Sequence, residues 1–252
     1  MIKVITSNIR FDNPDDGPNQ WDSRKEFLAQ TLTSYGADII ATQEGREAQL
    51  KEFDSLLKKY SLCDGHRQWL RPRMYPCLFL GEELEFKDSG DFWLSETPDV
   101  AGSKSFDSAF PRLCSWAKLK KSNASFFVFD VHLDHTTDEI RLEQAKVLSN
   151  QIKIINEESL PIILMGDFNT CASSDVRKHL IESLDLVDPW LINNKAEEPS
   201  FHMFKGSFPE GKRIDWVLIS SCLNSNRIEL IKDERDGLYL SDHYPVYCEI
   251  SL

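Results

Sequence analysis

The chain has 252 residues, 41% hydrophobic and 28% charged, and 29 Lys and Arg against 41 Asp and Glu give it a net charge of −12. That length supports one large domain with a full core, and no Pro-, Gly- or Ser-rich linker divides it, so a single domain over 1–252 is expected. The acidic balance counts against a generic nucleic-acid binder, which needs many Lys and Arg on phosphates, and no run approaches the ~18 apolar residues that span a bilayer.

In chain order, β-branched and aromatic runs alternate with amphipathic ones in the first half, which predicts a strand over 2–9, a helix over 23–35, a strand over 38–42 and a helix over 46–60. The middle is richer in strands, at 77–80, 92–94, 114–119 and 126–133, with Lys121-Ser122-Asn123 turning the last two into a hairpin. Apolar residues at Ile140, Ala145, Leu148, Ile152 and Ile155 give a long helix over 136–156 one buried face. A strand over 160–165, a helix over 173–184 and strands over 214–220, 228–231 and 246–250 complete the chain. Two mixed sheets packed face to face, with helices outside, would bury all these runs, whereas a plain doubly wound sheet leaves the hairpins unexplained.

The N-terminus enters its first strand without a basic region, apolar stretch and cleavage site, so nothing is expected to address the chain for export. Six cysteines without Cys-x-x-Cys spacing read as reduced core residues of a cytoplasmic protein.

The chemistry-bearing residues gather where the strands end. Gly166-Asp167-Phe168-Asn169 follows the apolar run Ile162-Ile163-Leu164-Met165, and an Asp and an Asn two apart in extended chain point to one side. Alone, Asp-x-Asn is also a common turn cap. Other strand ends carry Ser7-Asn8, Gln43-Glu44, His132-Leu133-Asp134-His135, Arg213-Ile214-Asp215-Trp216 and Ser241-Asp242-His243-Tyr244-Pro245. A hard cation such as Mg2+ or Mn2+ needs one or two carboxylates and leaves its other positions to water or phosphate, a need that Glu44, Asp167 and Asp242 can meet. Phosphoester hydrolysis also needs an activated water and donors for the charge on phosphorus, for which Asp167, Asn169, Asn8, His132 and His243 are the right types. Asp215 is the candidate to fix the tautomer of a histidine.

These blocks, together with Thr42-Gln43-Glu44 and Phe92-Trp93-Leu94-Ser95-Glu96-Thr97-Pro98, stand in the order found in the endonuclease/exonuclease/phosphatase superfamily, which the chain resembles nearly end to end. The resemblance implies the deoxyribonuclease-I-like fold, a four-layer α/β/β/α sandwich of two mixed, mainly antiparallel sheets, and divalent-metal-dependent cleavage of phosphoester bonds. It makes Glu44 the principal metal ligand, with Asn8 and Asp242 nearby, and gives Asp167 and Asn169 the attacking water. His243, oriented by Asp215, would contact the phosphate, and His132 the phosphate or leaving group. Where some nucleases of the superfamily carry Asp, two residues after Asn8, this chain has Arg10, which weakens a two-metal scheme and offers a phosphate-facing cation. The His132-Leu133-Asp134-His135 block is most similar to an uncharacterised branch of metal-dependent hydrolases, so no substrate is carried over.

Around this set, Arg112 is read as a phosphate clamp, with a solvated edge-strand charge as the alternative. His135 and Asp134 are read either as supports of the site or as a helix cap before Thr136. The basic, aromatic stretch from His66 to Arg73 could grip a polyanion or be a surface loop, and Trp21 and Trp69 could be core. The expected activity is a metal-dependent phosphoesterase using direct attack of water, on a small phosphorylated molecule in preference to a nucleic-acid end. The alternatives are a nuclease or polynucleotide end-processing enzyme, and a catalytically silent phosphate-binding module. No membrane insertion and no protein partner are expected.

Overall fold

The computed structural model describes residues 1–251. The first half runs β1 (Ile2–Asn8), α1 (Trp21–Ser34), β2 (Ile39–Arg46), α2 (Glu47–Leu56), β3 (Tyr60–Leu62), β4 (Met74–Gly81), β5 (Glu85–Trp93), β6 (Leu113–Lys121) and β7 (Ala124–His132). It continues through α3 (Asp138–Ile155), β8 (Ile162–Asp167), α4 (Asp175–Leu184), β9 (Leu186–Val187), α5 (Pro189–Ile192), β10 (Asp215–Ser220), β11 (Asn224–Leu230), β12 (Glu234–Arg235), β13 (Leu238–Tyr239) and β14 (Val246–Ser251). One sheet has the order β11-β14-β1-β2-β4-β3 and the other β5-β6-β7-β8-β10-β9. Pairing is parallel only between β1 and β2 and between β7 and β8, and antiparallel elsewhere. The sheets are therefore mixed and mainly antiparallel, as the sequence predicts.

Period-two alternation sorts side chains into three layers of core. Ile2, Val4, Ile39, Ala41, Phe126, Val128, Ile163, Met165, Val217 and Ile219 meet between the sheets. Their neighbours Ile5 and Ile40 pack outward on Leu28, Leu32, Leu50 and Phe53 of α1 and α2. On the other side Phe127, Phe129, Leu164 and Leu218 meet Ala145, Leu148, Ile152, Val176 and Leu180 of α3 and α4. Each such Leu, Ile or Phe removed from water contributes roughly 1.5–3 kcal/mol, which makes the four-layer sandwich the energetic answer to this sequence pattern.

Element boundaries moved where local chemistry intervenes. The helix expected over 46–60 stops at Leu56, because the Asp54 carboxylate accepts the Leu62 N–H at 2.8 Å and turns Tyr60–Leu62 into a strand beside β4. The strand expected over 38–42 runs on to Arg46 past a bulge between Thr42 and Gly45. β5 begins seven residues earlier than expected, at Glu85 in place of 92. It is an edge strand whose first four residues are exposed, so it lacks the apolar signal of a buried strand. The cap of α3 is Thr137, which accepts from the Ile140 N–H, and not Asp134 or His135. Of the six cysteines, all free, Cys77, Cys114 and Cys248 are core residues while Cys222 is exposed. No helix among the described residues is long and apolar enough to cross a membrane.

Candidate active site

Continued toward one end of the sandwich, the inward alternation exchanges apolar residues for polar ones: Val4 is followed by Thr6 and Asn8, Val128 by Asp130 and His132, and Met165 by Asp167. Register then aligns the functional groups. His132 is opposite Asp167 in the parallel β7–β8 pair, and Asp167 is opposite Asp215 in the antiparallel β8–β10 pair, so three neighbouring strands set these side chains in one row. Gly166 makes that approach achievable: at φ 143, a Cβ there would lie 2.0 Å from the Val131 carbonyl oxygen of the adjacent strand.

Asn8 joins the two sheets. Its amide donates to Asp167 Oδ2 at 2.9 Å and to Glu44 Oε1 at 3.1 Å, while its carbonyl oxygen accepts the Arg10 N–H at 3.0 Å. Glu44 occupies the bulge of β2 in the left-handed region, φ 69, where its other oxygen accepts the Phe11 N–H at 3.2 Å. A non-glycine residue held there stores on the order of 1–3 kcal/mol of strain, a feature that clusters at functional sites. Asn169, also left-handed at φ 52, donates its amide to the Leu133 carbonyl at 3.0 Å and its N–H to Asp167 Oδ1 at 2.9 Å.

His243 Nδ1 donates to Asp215 Oδ2 at 2.9 Å, the same oxygen that accepts the Ser200 hydroxyl at 2.6 Å. Its Nε2 then faces Asp167 Oδ2 at 4.0 Å. Burial works against a charged His243, but the Asp215 charge and hydrogen bond outweigh it and hold the pKa well above the usual histidine range. His132 goes the other way: burial and the positive charge of Arg112 push it well below that range. Arg112 Nη1 donates to His132 Nδ1 at 3.1 Å, which puts the remaining ring proton on Nε2, 3.5 Å from Asp167 Oδ2. Burial and the neighbouring Asp215 charge raise the pKa of Asp167 from 3.8 to about 7.

Among the described residues, Asp167, Asp215 and His243 are the group of three possible ligands whose atoms lie within 4.8 Å of one another. The His243–Asp215 bond already commits part of that set to each other. Glu44 and Asp242 offer a divalent cation two carboxylates: burial and the Glu44 charge raise the pKa of Asp242 against the lowering charges of His243, Arg10 and Arg24. Arg10 binds Asp16 through two hydrogen bonds of 2.9 Å and lies 3.9 Å from Asp242, so its charge is already engaged.

Arg112 is 7% exposed, has no carboxylate at ion-pair distance among the described residues, and leaves its Nε without a partner. Its Nη2 lies 3.5 Å from His135 Nδ1, and the His135 ring stacks on the exposed Phe110 at 5.8 Å. Asp134 bolts the neighbouring loop in place, accepting from Ser108 Oγ and Ala109 N, both at 2.9 Å.

The Arg67 side chain, from the basic stretch, is fully buried against Asp91, Trp21 packs in the core and Trp69 lies half-buried against it. Sequence reasoning missed Ser200, whose hydroxyl also accepts the Ile214 and Asp215 N–H groups and so sets the Asp215 carboxylate. It also missed Arg24, which donates to the carbonyls of Ile9, Arg10, Asn19 and Leu240 and so shapes the loop after β1. A lone serine in a loop carries no signal; an arginine inside the apolar face of a predicted helix is one that could have been weighed.

The Endonuclease/Exonuclease/phosphatase family model matches residues 5–243. An endonuclease/exonuclease/phosphatase structure from Bacteroides vulgatus superimposes with a TM-score of 0.92 at 27% identity, covering 100% of this chain and 98% of that one. A Bacteroides thetaiotaomicron mannosyl-6-phosphatase superimposes with a TM-score of 0.87 at 28% identity over 100% of both chains. Nocturnin of Homo sapiens is 24% identical over 92% of this chain and 58% of its own length, so the chain spans little more than half of that relative.

Proposed function

We propose, from the premise that the chain belongs to the endonuclease/exonuclease/phosphatase family, that it is a divalent-metal-dependent phosphoesterase acting on a small phosphorylated molecule. The observation that carries this reading is the row His132, Asp167 and Asp215, closed by His243 and flanked by the carboxylate-free cation Arg112. The cation would be held by Glu44, with Asn8 and Asp242, and when bound would supply positive charge against the phosphate oxygens.

Water attacks phosphorus, giving a proton to Asp167 while Asn169 holds the water in place; the P–O ester bond breaks and its electron pair leaves with the alcohol oxygen. His243, kept cationic by Asp215, donates from Nε2 to a phosphate oxygen, where negative charge accumulates. His132 Nε2–H donates to a second phosphate oxygen or to the departing one. Arg112 binds the phosphate with its planar fork, supplying the positive charge that no carboxylate now neutralises. A small substrate is favoured by the net charge of −12 and by full-length similarity to a protein named mannosyl-6-phosphatase.

The test is a hydrolysis screen with Mg2+ or Mn2+ across sugar phosphates, inositol phosphates, nucleotides, phospholipid head groups and labelled oligonucleotides. Metal-dependent release of phosphate from a small molecule is expected. Preference for oligonucleotides, with salt-sensitive binding, would establish the end-processing alternative, and no turnover of any substrate would leave a phosphate-binding module.

A further inference from the structure

A cavity of about 380 Å3 opens where the chain leaving β8 meets the chain entering β10, walled among others by Cys171, Ser173, Glu197, Glu198, Lys212 and Arg213. Cys171 follows Asn169 by two residues and Arg213 precedes Asp215 by two, so the chain segments that wall the cavity lead directly into the strands that carry the site.

Its two cations and two carboxylates balance, but both carboxylates are already paired, which leaves Lys212 as the free charge. Arg213 and Arg177 share Asp188 Oδ2, at 2.9 and 2.6 Å, and Arg213 also grips Glu197 through two further bonds, so two cations meet two carboxylates. Glu198 is paired with Lys232, and Asp138, whose charge reaches Lys212, is bonded to Arg141. Lys212 is exposed and has no carboxylate at ion-pair distance among the described residues. Arg213 is 2% exposed, yet its Nη1 is buried without a partner. A buried guanidinium N–H left unmatched beside a cavity calls for an acceptor from outside the chain. The Cys171 thiol senses the same field: burial would raise its pKa, but the Ser173 hydrogen bonds and the Lys212 charge lower it.

We propose that this cavity is a second anion subsite, in which Arg213 Nη1, Lys212 Nζ and the Ser173 hydroxyl receive a second phosphate of a small bisphosphorylated substrate. The inference rests on the phosphoesterase reading for the first phosphate, and it makes Lys212 the residue that selects bisphosphates over monophosphates.

Two measurements test it on the full chain. With divalent metal, kcat/KM is compared for a hexose 6-phosphate and a hexose 1,6-bisphosphate, in wild type and in Lys212→Ala; Arg213 is left intact because it also ties Asp188 and Glu197. Wild type should favour the bisphosphate, and Lys212→Ala should reduce that preference about tenfold, mainly through KM, as expected for one lost charged contact. An unchanged ratio with active enzyme overturns the subsite and leaves the phosphoesterase reading standing. The second measurement is calorimetric titration of metal-free protein with inorganic phosphate. Loss of binding in Lys212→Ala supports the subsite even if no substrate turns over, and identical isotherms overturn it. Tighter Lys212-dependent binding of a short oligonucleotide than of the hexose bisphosphate would overturn the small-molecule assignment.

Discussion

Two buried clusters of charge lie inside this sandwich and are built on opposite plans. At the edge, Arg67 bonds both oxygens of Asp91 at 2.7 Å, the Pro76 carbonyl at 3.1 Å, the Ser115 hydroxyl at 2.5 Å and Cys77 Sγ at 2.6 Å, tying β4 of one sheet to β5 and β6 of the other. Its guanidinium lies near both Trp69 and Tyr75, 4.9 Å from each ring centroid. Every strong direction of that cation is used within the fold. At the end that carries the candidate site, Arg112 Nε and Asp215 Oδ1 are buried without partners, and Asp167 and Asp242 are raised by burial and by like charge. A cluster that closes on itself stabilises the fold; one that stays open costs stability and is available to a ligand.

The largest expected effect separates the two plans directly. Asp167→Ala should lower kcat by at least ~10^3-fold, as for loss of a proton acceptor, with the melting temperature unchanged or higher because a destabilised charge is removed. Arg67→Ala should do the reverse. It strands Asp91 in the interior, at about 3–5 kcal/mol, and lost activity should follow the unfolded fraction measured by circular dichroism. An active, stable Arg67→Ala protein, or an unfolded Asp167→Ala protein, would end the distinction.

Next in size is Gly166→Ala, which tests whether the row of His132, Asp167 and Asp215 depends on backbone contact. The added Cβ must be accommodated against the Val131 carbonyl 2.0 Å away, so β7 and β8 have to shift where His132 and Asp167 face each other. Both stability and kcat should fall, the former by roughly 2–4 kcal/mol, from overpacking and left-handed strain combined. Arg112→Lys should be milder: about tenfold or more in KM, with a small change in melting temperature, since a point charge replaces a fork.

How far the sequence reveals these plans follows from the same physics. Asp167 and His132 are legible because buried strands end in them and alternation continues into the site, whereas Asn169 lies two residues past β8 and His243 three before β14. Glu44 is legible as a residue but not as a bulge, since nothing in Thr42-Gln43-Glu44 announces a left-handed backbone. Arg67 is legible only as charge: Arg71, four residues away, is exposed, and no local pattern tells which of the two turns inward. Ser200 is invisible because its role comes from Asp215, brought to it by folding. Edge strand β5 is weak in sequence because only its last residues are buried.

The smallest effect asks whether the closed cluster is also pH-sensitive. His66 Nε2 lies 3.1 Å from Asp91 Oδ1, and Nδ1 contacts Ser89 Oγ at 2.8 Å. Burial pulls its pKa down, but hydrogen bonds to Asp91 and Cys63 and the Asp91 charge outweigh this, raising it from 6.5 to about 9. A histidine that holds its proton more tightly when folded contributes stability that is complete below pH ~6.5 and fades as pH rises through ~9. The contribution is at most ~3.5 kcal/mol, because each tenfold gain in proton affinity is worth about 1.4 kcal/mol. Melting curves of wild type and His66→Gln, taken from pH 6 to 10, isolate it, because other titrations cancel in the difference. The wild-type advantage should shrink steadily across that window. An advantage that stays constant would mean that His66 is neutral in the clamp, leaving Arg67 as the only cation that answers Asp91.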